Sequence, residues 1–329
     1  RTFEVCHTMN ESFGYSHHDT KWKSTKEVVE MLTDIVSKGG NLLLNVGPDA
    51  SGHIPAESAD VLRETGKWLK VNGEAIYGTV ASPYKTLPFN GRCTAKVKDG
   101  KSFLYFHLFE WPKNNKIVLG GLKNDVIGAS LLGASSDLAY NVKKGMVTIK
   151  LPATAPNDIS SVVALEIKGE ADVDSSLNIP QQDGDRSVSL SPGNAKLSGS
   201  LRVEGASFGK DYSNIGFWTD ADSTAEFTFN IHTPGQIQAG GTVTHSAGKY
   251  SLFIELSVGA GAGGELEMSL AGQTLTAKTE STGGWRNYKR VKVGEFVISK
   301  SGKTTLTLKG KNFNEALMNV KSIELVPVK

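Results

Sequence analysis

The densest group of reactive side chains lies near the start of the chain, in residues 3–15. This segment holds two carboxylates, a thiol, an imidazole and aromatic rings, on Glu4, Glu11, Cys6, His7, Phe13 and Tyr15. A cysteine beside a histidine suggests a thiol nucleophile, but neighbouring residues of a strand point to opposite faces. Cys6 and His7 therefore do not predict a thiol hydrolase. Two interpretations remain for the segment: a role in catalysis, or a short strand followed by a polar loop.

Residues 1–80 predict the elements that would position this segment. Ser24 and Glu27 form a capping box at the start of a helical apolar stripe. Residues 41–46 form a continuous apolar run, which is typical of a strand buried on both faces of a parallel sheet. Pro55 opens a second helix. Helix, buried strand and helix make a piece of a βα-repeat fold, but a closed (β/α)8 barrel needs about 200–250 residues.

The next two segments change in character. Residues 81–170 contain short apolar strands separated by Gly, Asn and Pro, which favours an antiparallel β-sandwich. Residues 171–195 are rich in Asp, Ser, Pro and Gln and predict a linker. Val188 and Leu190 within it also fit a strand.

Residues 196–329 predict a second all-β domain. Apolar and polar residues alternate in residues 226–231, 250–256 and 304–308, as in half-buried strands. The predicted fold is therefore multidomain, a partial (β/α)8-like barrel followed by two antiparallel β-sandwich domains.

Composition and charge exclude several classes of protein. The 329 residues are 39% hydrophobic and 21% charged, which excludes collagen, coiled coil and wholesale disorder. A net charge of +2 exerts no long-range pull on nucleic acid or on an anionic membrane. Two cysteines cannot build a disulfide framework, and no apolar run is long enough for a membrane span. The glycine-rich residues 259–264 do not connect a strand to a helix, and HExxH and CxxC patterns are absent, so nucleotide and classical zinc sites lack support.

The N-terminal segment resembles the signature of family 29 α-L-fucosidases. Residues 3–15, FEVCHTMNESFGY, are similar to the family pattern W-E-x-C…N-x-S-W/F-G-Y, with Phe3 in place of Trp. Residues 35–48 resemble the closing helix and strand of the family's barrel, and residues 66–79 resemble its final helix and exit. The resemblance covers residues 1–80 and extends more weakly over residues 81–170, which are similar to the family's C-terminal sandwich.

This resemblance implies a retaining glycoside hydrolase that needs two carboxyl groups and no catalytic cofactor. The family's nucleophile is an Asp on an earlier barrel strand, and no position of this chain matches it. Glu4 matches a glutamate that is the acid/base in some members, and its alternative is a structural carboxylate. Phe13 matches an aromatic residue that packs on the apolar side of fucose, and its alternative is a core residue. Cys6 belongs to the substrate-binding signature as a small buried packing residue, while His17 and His18 either contact sugar hydroxyls or lie in a solvated loop.

Residues 196–329 resemble a β-sandwich carbohydrate-binding module. The similarity is carried by residues 201–206, 214–218, 282–285 and 318–323. It implies that Trp285 stacks on a sugar ring and that Asn319 bonds a hydroxyl. Trp218 is either core or site, and Glu204 matches a position that helps to hold a structural Ca²⁺. A purely structural domain remains the alternative.

The sequence thus predicts an α-L-fucosidase that acts on fucosylated glycans, with neither nucleic acid nor membrane as partner. Family resemblance implies a secreted or periplasmic location. One rival is a noncatalytic glycan-binding or scaffolding protein that carries a barrel remnant. Another is a barrel completed by a missing N-terminal segment, as part of the same polypeptide or as a separate chain.

Overall fold

A computed structural model describes residues 3–112, 114–143, 145–182, 185–204, 213–232 and 248–328. Within them the chain divides into two units, with the boundary between Asn178 and Ile179. The described residues form five β-sheets and two α-helices, so the protein is mostly β and multidomain, as expected. Neither of these helices is long and apolar enough to cross a membrane.

The elements of the first unit run in this order: β1 (Phe3–Thr8), α1 (Thr25–Ser37), β2 (Gly40–Asn45), α2 (Ala56–Asn72), a 3₁₀ helix (Gly73–Ala75), β3 (Gly91–Lys98), β4 (Lys101–Leu108), β5 (Lys116–Gly120), β6 (Val126–Leu131), β7 (Tyr140–Lys143), β8 (Met146–Lys150), β9 (Ser161–Lys168) and a 3₁₀ helix (Ser175–Leu177).

Strands β1 and β2 pair in parallel, and α1 connects them. The capping box predicted for α1 is present, because the Ser24 hydroxyl accepts from the Glu27 N–H and the Glu27 side chain accepts from the Ser24 N–H. The aromatic ring of Phe3 covers Gly40, where a Cβ would meet the ring at 2.5 Å and Ile35 of α1 at 3.0 Å. The prediction that β2 is buried on both faces is wrong for this chain. Leu43 is 51% exposed, because among the described residues β2 pairs only with β1 and its Leu43 face has no helix against it.

The remaining sheets of the first unit are antiparallel, with orders β3-β4-β9-β6 and β5-β8-β7. Buried side chains from both sheets form one hydrophobic cluster that includes Phe106 and Ile149. The opposite face of β4 and β9 packs against α2, where the Trp68 indole N–H donates to the Ser160 carbonyl at 2.8 Å. The helices and the sheet therefore share one buried interface.

The elements of the second unit run in this order: β10 (Val188–Leu190), a 3₁₀ helix (Pro192–Asn194), β11 (Ala195–Leu197), β12 (Arg202–Glu204), β13 (Asn214–Gly216), β14 (Thr224–Ile231), β15 (Gly248–Ser257), β16 (Gly264–Leu270), β17 (Gln273–Thr279), β18 (Lys289–Ile298), β19 (Gly302–Lys311) and β20 (Asn319–Pro327).

Two sheets form the second unit, with orders β12-β13-β20-β15-β18 and β11-β14-β19-β16-β17, and β10 also pairs with β20. The inward residues of both sheets form a single hydrophobic cluster, because apolar side chains alternate along β14, β15 and β19 as the sequence predicts.

The linker predicted for residues 171–195 requires correction. Asn178 is tied to the first unit, since its side-chain amide donates to the Thr86 carbonyl at 2.7 Å and its Oδ1 accepts from the Gly120 N–H at 3.0 Å. Val188 and Leu190 are at most 2% exposed and lie in the core of the second unit. The polar composition of this segment belongs to its turns, whereas its few apolar residues complete a sheet.

Candidate functional site

The signature segment lies at the carboxyl edge of the parallel pair β1–β2. Thr8 and Asn45 are the last residues of the two strands and are register partners. The Asn45 side-chain amide donates to Thr8 Oγ1 at 3.1 Å and to the Phe13 carbonyl at 2.8 Å. A Cβ at Gly47 would lie 2.9 Å from the backbone of Gly14 and Tyr15. Asn45, at the end of β2, and Gly47, just after it, therefore hold residues 13–15 in place through a hydrogen bond and close backbone packing.

Further hydrogen bonds shape the loop that carries this segment. Asp19 Oδ2 accepts from the Glu11 N–H at 2.9 Å and from the Ser12 N–H at 2.8 Å. Burial acts to raise the pKa of Asp19, but the hydrogen bonds from Ser12, Lys21 and Glu11 outweigh it and keep that pKa below its ordinary value. The Lys23 ammonium donates to the Thr8 carbonyl at 2.8 Å and closes the loop against β1.

The loop presents its aromatic rings to solvent. Phe13 is 57% exposed and Tyr15 is 44% exposed, so Phe13 is not a core residue in this chain. The Tyr15 hydroxyl lies 3.2 Å from His17 Nδ1, and the two rings meet edge to face. His18 is also exposed, on the same loop. The loop thus combines apolar ring faces with polar groups, a combination that suits a sugar with one hydrophobic edge.

Glu4 and Cys6 lie on one exposed face of β1. The expectation that Cys6 is a small buried packing residue is wrong for this chain, because its thiol is free and exposed. Glu4 lies four residues before Thr8, which places its Cα roughly 13 Å along the strand from the edge that carries Phe13. Its role as acid/base stays a prediction.

Partial burial, and next to it the charge of Lys23, lowers the pKa of His7. Both effects favour the neutral form of its imidazole. His7 and Cys6 occupy adjacent positions of β1, half-buried and exposed respectively, as the strand alternation predicts.

The loop after β2 lies at the same edge, although no motif in its sequence predicted a candidate site there. Asp49 Oδ1 accepts from the Ser51 hydroxyl at 2.7 Å, the Ser51 N–H at 2.9 Å and the His53 N–H at 3.0 Å. The hydrogen bond from the Ser51 hydroxyl, followed by that from the His53 N–H, keeps the pKa of Asp49 below its ordinary value. Gly47–Pro48 could have pointed to this loop, because these residues mark the end of β2 and the loops after neighbouring parallel strands meet at one edge of the sheet.

A second candidate site lies at one end of the second unit, around Trp285. The Trp285 ring is 41% exposed and covers Gly259, where a Cβ would approach the indole to 2.5 Å. The Ser257 hydroxyl donates to the Trp285 carbonyl at 2.8 Å, and the Asn319 amide donates to it at 3.4 Å. The structure therefore brings together Trp285 and Asn319, with Asn319 orienting the loop that carries the indole.

Glu204 belongs to the same neighbourhood. Its Oε2 accepts from the Asn214 amide at 2.9 Å, and a Cβ at Gly216 would meet Glu204 and Asn319 side-chain oxygens at 2.6 and 3.1 Å. Calcium requires six to eight oxygen ligands. The described residues supply one carboxylate here and contain no group of three or more His, Cys, Asp or Glu side chains that could hold a metal ion. They do not by themselves fit a calcium site, and that prediction remains untested.

Trp218 is a core residue, which resolves the two interpretations left open for it. It is 1% exposed inside the hydrophobic cluster of the second unit. The next residue toward the N terminus, Phe217, is instead 51% exposed at a φ of +60°, with the Arg202 guanidinium 5.3 Å from its ring centroid. The sequence does not distinguish Phe217 from Trp218 as the exposed residue, because an aromatic pair alone does not show which ring faces solvent.

Comparison with known proteins links the N-terminal segment to one family. The α-L-fucosidase family profile matches residues 1–74. The chain is 33% identical over 165 residues to an α-L-fucosidase of Dictyostelium discoideum, a match that covers 47% of this chain and 35% of the relative. It is 34% identical over 159 residues to the human plasma α-L-fucosidase, covering 46% of this chain and 33% of that protein. The chain thus spans about a third of the length of these curated relatives.

A solved structure resembles nearly the whole chain. The α-L-fucosidase of Vibrio sp. strain EJY3 aligns with a TM-score of 0.68 at 24% identity, over 98% of this chain and 54% of that one. This likeness concerns the fold. The family profile that matches residues 1–74 is what confirms the resemblance of the signature segment to α-L-fucosidases.

Proposed function

We propose, from the family 29 α-L-fucosidase relationship of residues 1–74, that the protein hydrolyses terminal α-L-fucosides of glycans with retention. The observation that carries the proposal is the position of the matched signature. Phe13 and Tyr15 stand exposed at the carboxyl edge of a parallel βα pair, which is the edge where (β/α)8 barrels bear their active sites.

In this proposal, residues 1–80 contribute to a (β/α)8-like barrel, and residues 81–170 form the sandwich that accompanies it. Phe13 packs against the apolar edge and methyl group of fucose, while Glu4 protonates the leaving oxygen and later activates water. No residue of this chain is proposed as the nucleophile. The proposed location is secreted or periplasmic, which is supported by relatives named plasma α-L-fucosidases.

The test uses the complete polypeptide that contains these residues and two fucosides that differ in leaving-group acidity. Glu4→Gln should slow the unactivated fucoside far more than an aryl fucoside with an acidic leaving group, because only the former needs protonation. Glu11→Gln is the matched control, since Glu11 is an exposed carboxylate paired with Lys21 at 3.3 Å. Equal losses on both substrates remove Glu4 from the role. An inactive complete protein that still binds fucosylated glycans would favour the noncatalytic rival.

We propose a second function for the second unit: it is a β-sandwich that binds carbohydrate at the end that carries Trp285. The supporting observation is an indole that is 41% exposed although its loop is held by two side-chain hydrogen bonds to the Trp285 carbonyl. An exposed, oriented ring is suited to stacking on a pyranose. Retention of the chain on immobilised fucosylated glycan, and its reduction in Trp285→Ala, tests this function.

A further inference from the structure

The first unit contains a cleft of about 360 Å³ that none of the features above explains. The end of β4 and the residues after it form one wall, and the loop that leads into β9 forms the other. Lys26, from the first turn of α1, completes the lining. The volume falls within the range of about 300–1,000 Å³ that is usual for small-ligand sites.

One wall of the cleft is an immobilised aromatic side chain, Trp111. Its indole N–H donates to the Pro152 carbonyl at 3.1 Å, which fixes the orientation of the ring while leaving it partly exposed. Phe109 lies beside it in the lining and is 8% exposed, with the Arg92 guanidinium 5.6 Å from its ring centroid. Because the only polar atom of the indole is already used, Trp111 offers a ligand its apolar face.

The rest of the lining is polar and offers both acceptors and donors. Glu110 Oε1 accepts from the Asn90 amide at 3.0 Å, and its second carboxylate oxygen adds acceptor capacity. Asn157 Oδ1 accepts from the N–H groups of Ile159 and Ser160 at 3.0 and 2.9 Å, which fixes the loop. The Asn157 amide nitrogen donates to none of the described residues. Asp158 is exposed at the same rim.

Two hydroxyls in the lining are buried without a partner. Ser160 and Ser161 are 2% and 3% exposed, and their Oγ atoms have no hydrogen-bond partner among the described residues. Buried polar atoms are normally satisfied. Each of these oxygens exposes less than 1 Å², so both hydroxyls lie behind the surface of the cleft and the polar contacts available to a ligand come from Glu110, Asn157 and Asp158.

We propose that this cleft binds a neutral saccharide of one or two units. The fixed indole face matches the C–H face of a pyranose ring, and the carboxylates of Glu110 and Asp158 and the amide of Asn157 match its hydroxyl groups. Two carboxylates against one lysine disfavour an anionic ligand. The cleft shares no lining residue with the signature loop or with the site around Trp285, and the proposal does not depend on the proposed fucosidase activity.

The test measures saccharide binding to the full chain in a Trp285→Ala background, which removes the proposed site of the second unit. Lactose and N,N′-diacetylchitobiose serve as neutral probes, with glucuronate as the anionic comparison and saturation-transfer NMR as the readout. We expect at least one neutral disaccharide to bind and glucuronate to bind more weakly. Trp111→Ala should weaken binding by about tenfold or more, and Trp111→Phe should retain most of it, since it keeps an aromatic face.

Asp158→Asn provides a second variant that does not disturb packing, because Asp158 is exposed. This variant should lower the affinity for the neutral probes by about threefold to tenfold, the usual range for one hydrogen bond. Absence of binding by both neutral probes in the Trp285→Ala background would overturn the proposal. So would unchanged binding in both Trp111→Ala and Asp158→Asn, or a preference for glucuronate.

Discussion

Replacing each of two tryptophans of the second unit by alanine should separate binding from stability. Trp218 is 1% exposed in the hydrophobic core, and truncating a fully buried tryptophan costs about 3–5 kcal/mol of unfolding free energy. Trp285 is 41% exposed, so its truncation removes roughly three-fifths of that packing, about 2–3 kcal/mol. The hydrogen bonds from Ser257 and Asn319 end on the Trp285 backbone carbonyl, and alanine keeps them.

Typical domains are stable by about 5–15 kcal/mol, so Trp285→Ala should leave the second unit folded, whereas Trp218→Ala should bring it near unfolding. Binding should change in the opposite sense. An aromatic ring stacked on a sugar contributes on the order of 1–3 kcal/mol, which corresponds to about 5-fold to 150-fold in affinity. In a Trp111→Ala background, which removes the proposed site of the first unit, Trp285→Ala should therefore nearly abolish retention on a glycan column.

Amide hydrogen exchange in β15 and β20 measures the stability of the second unit separately from that of the first. The expected order of protection is wild type, then Trp285→Ala, then Trp218→Ala. If Trp285→Ala lost as much protection as Trp218→Ala, the indole would be a packing residue. If Trp285→Ala left column retention unchanged in a folded protein that also carries Trp111→Ala, which removes the proposed site of the first unit, the proposed binding face would be wrong.

Two further predictions concern the first unit. Asn45→Ala should reduce amide protection in residues 13–15, because it removes the hydrogen bonds to the Phe13 carbonyl and to Thr8. The control variant Asn41→Ala should leave that protection unchanged, since Asn41 is exposed. Equal protection in both variants would show that Asn45 does not hold residues 13–15 in place. Burial lowers the pKa of His107 to about 3, so below the unfolded-state pKa of about 6.5 the unfolded chain binds the additional proton. Stability of the first unit should accordingly fall as the pH drops from about 6.5 toward 3, by up to about 1.4 kcal/mol per pH unit. Urea unfolding of wild type and His107→Gln across that range checks this, and an unchanged pH slope in the variant would exclude His107 as its source.

Local patterns were sufficient to predict much of the architecture. The Ser24 and Glu27 capping box, the apolar run before Gly47 and the alternation in residues 226–231 each encode an element through contacts between near neighbours. The signature in residues 3–15 also predicted the match of residues 1–74 to the α-L-fucosidase profile, because a signature is a property of the order of side chains. These features do not depend on how distant parts of the chain meet.

Which side chains are exposed, and which lie next to one another, depended on the tertiary structure. Leu43 and Cys6 have apolar or small side chains that predict burial, yet burial requires a neighbouring layer, and among the described residues their face of β1–β2 has none. Trp218 and Phe217 are adjacent aromatic residues, and only the path of the chain after β13 decides that the first is core and the second is exposed.

The same reason explains what the sequence could not predict about the sites. Asn45 reaches the Phe13 carbonyl across 32 positions of the chain, and Ser257 and Asn319 meet at the Trp285 carbonyl from separate strands. The cleft beside Trp111 arises where the end of β4 meets the loop before β9. Residue types and spacing therefore determined the family resemblance of residues 1–74 and the secondary-structure elements, whereas long-range packing determined which side chains are exposed together.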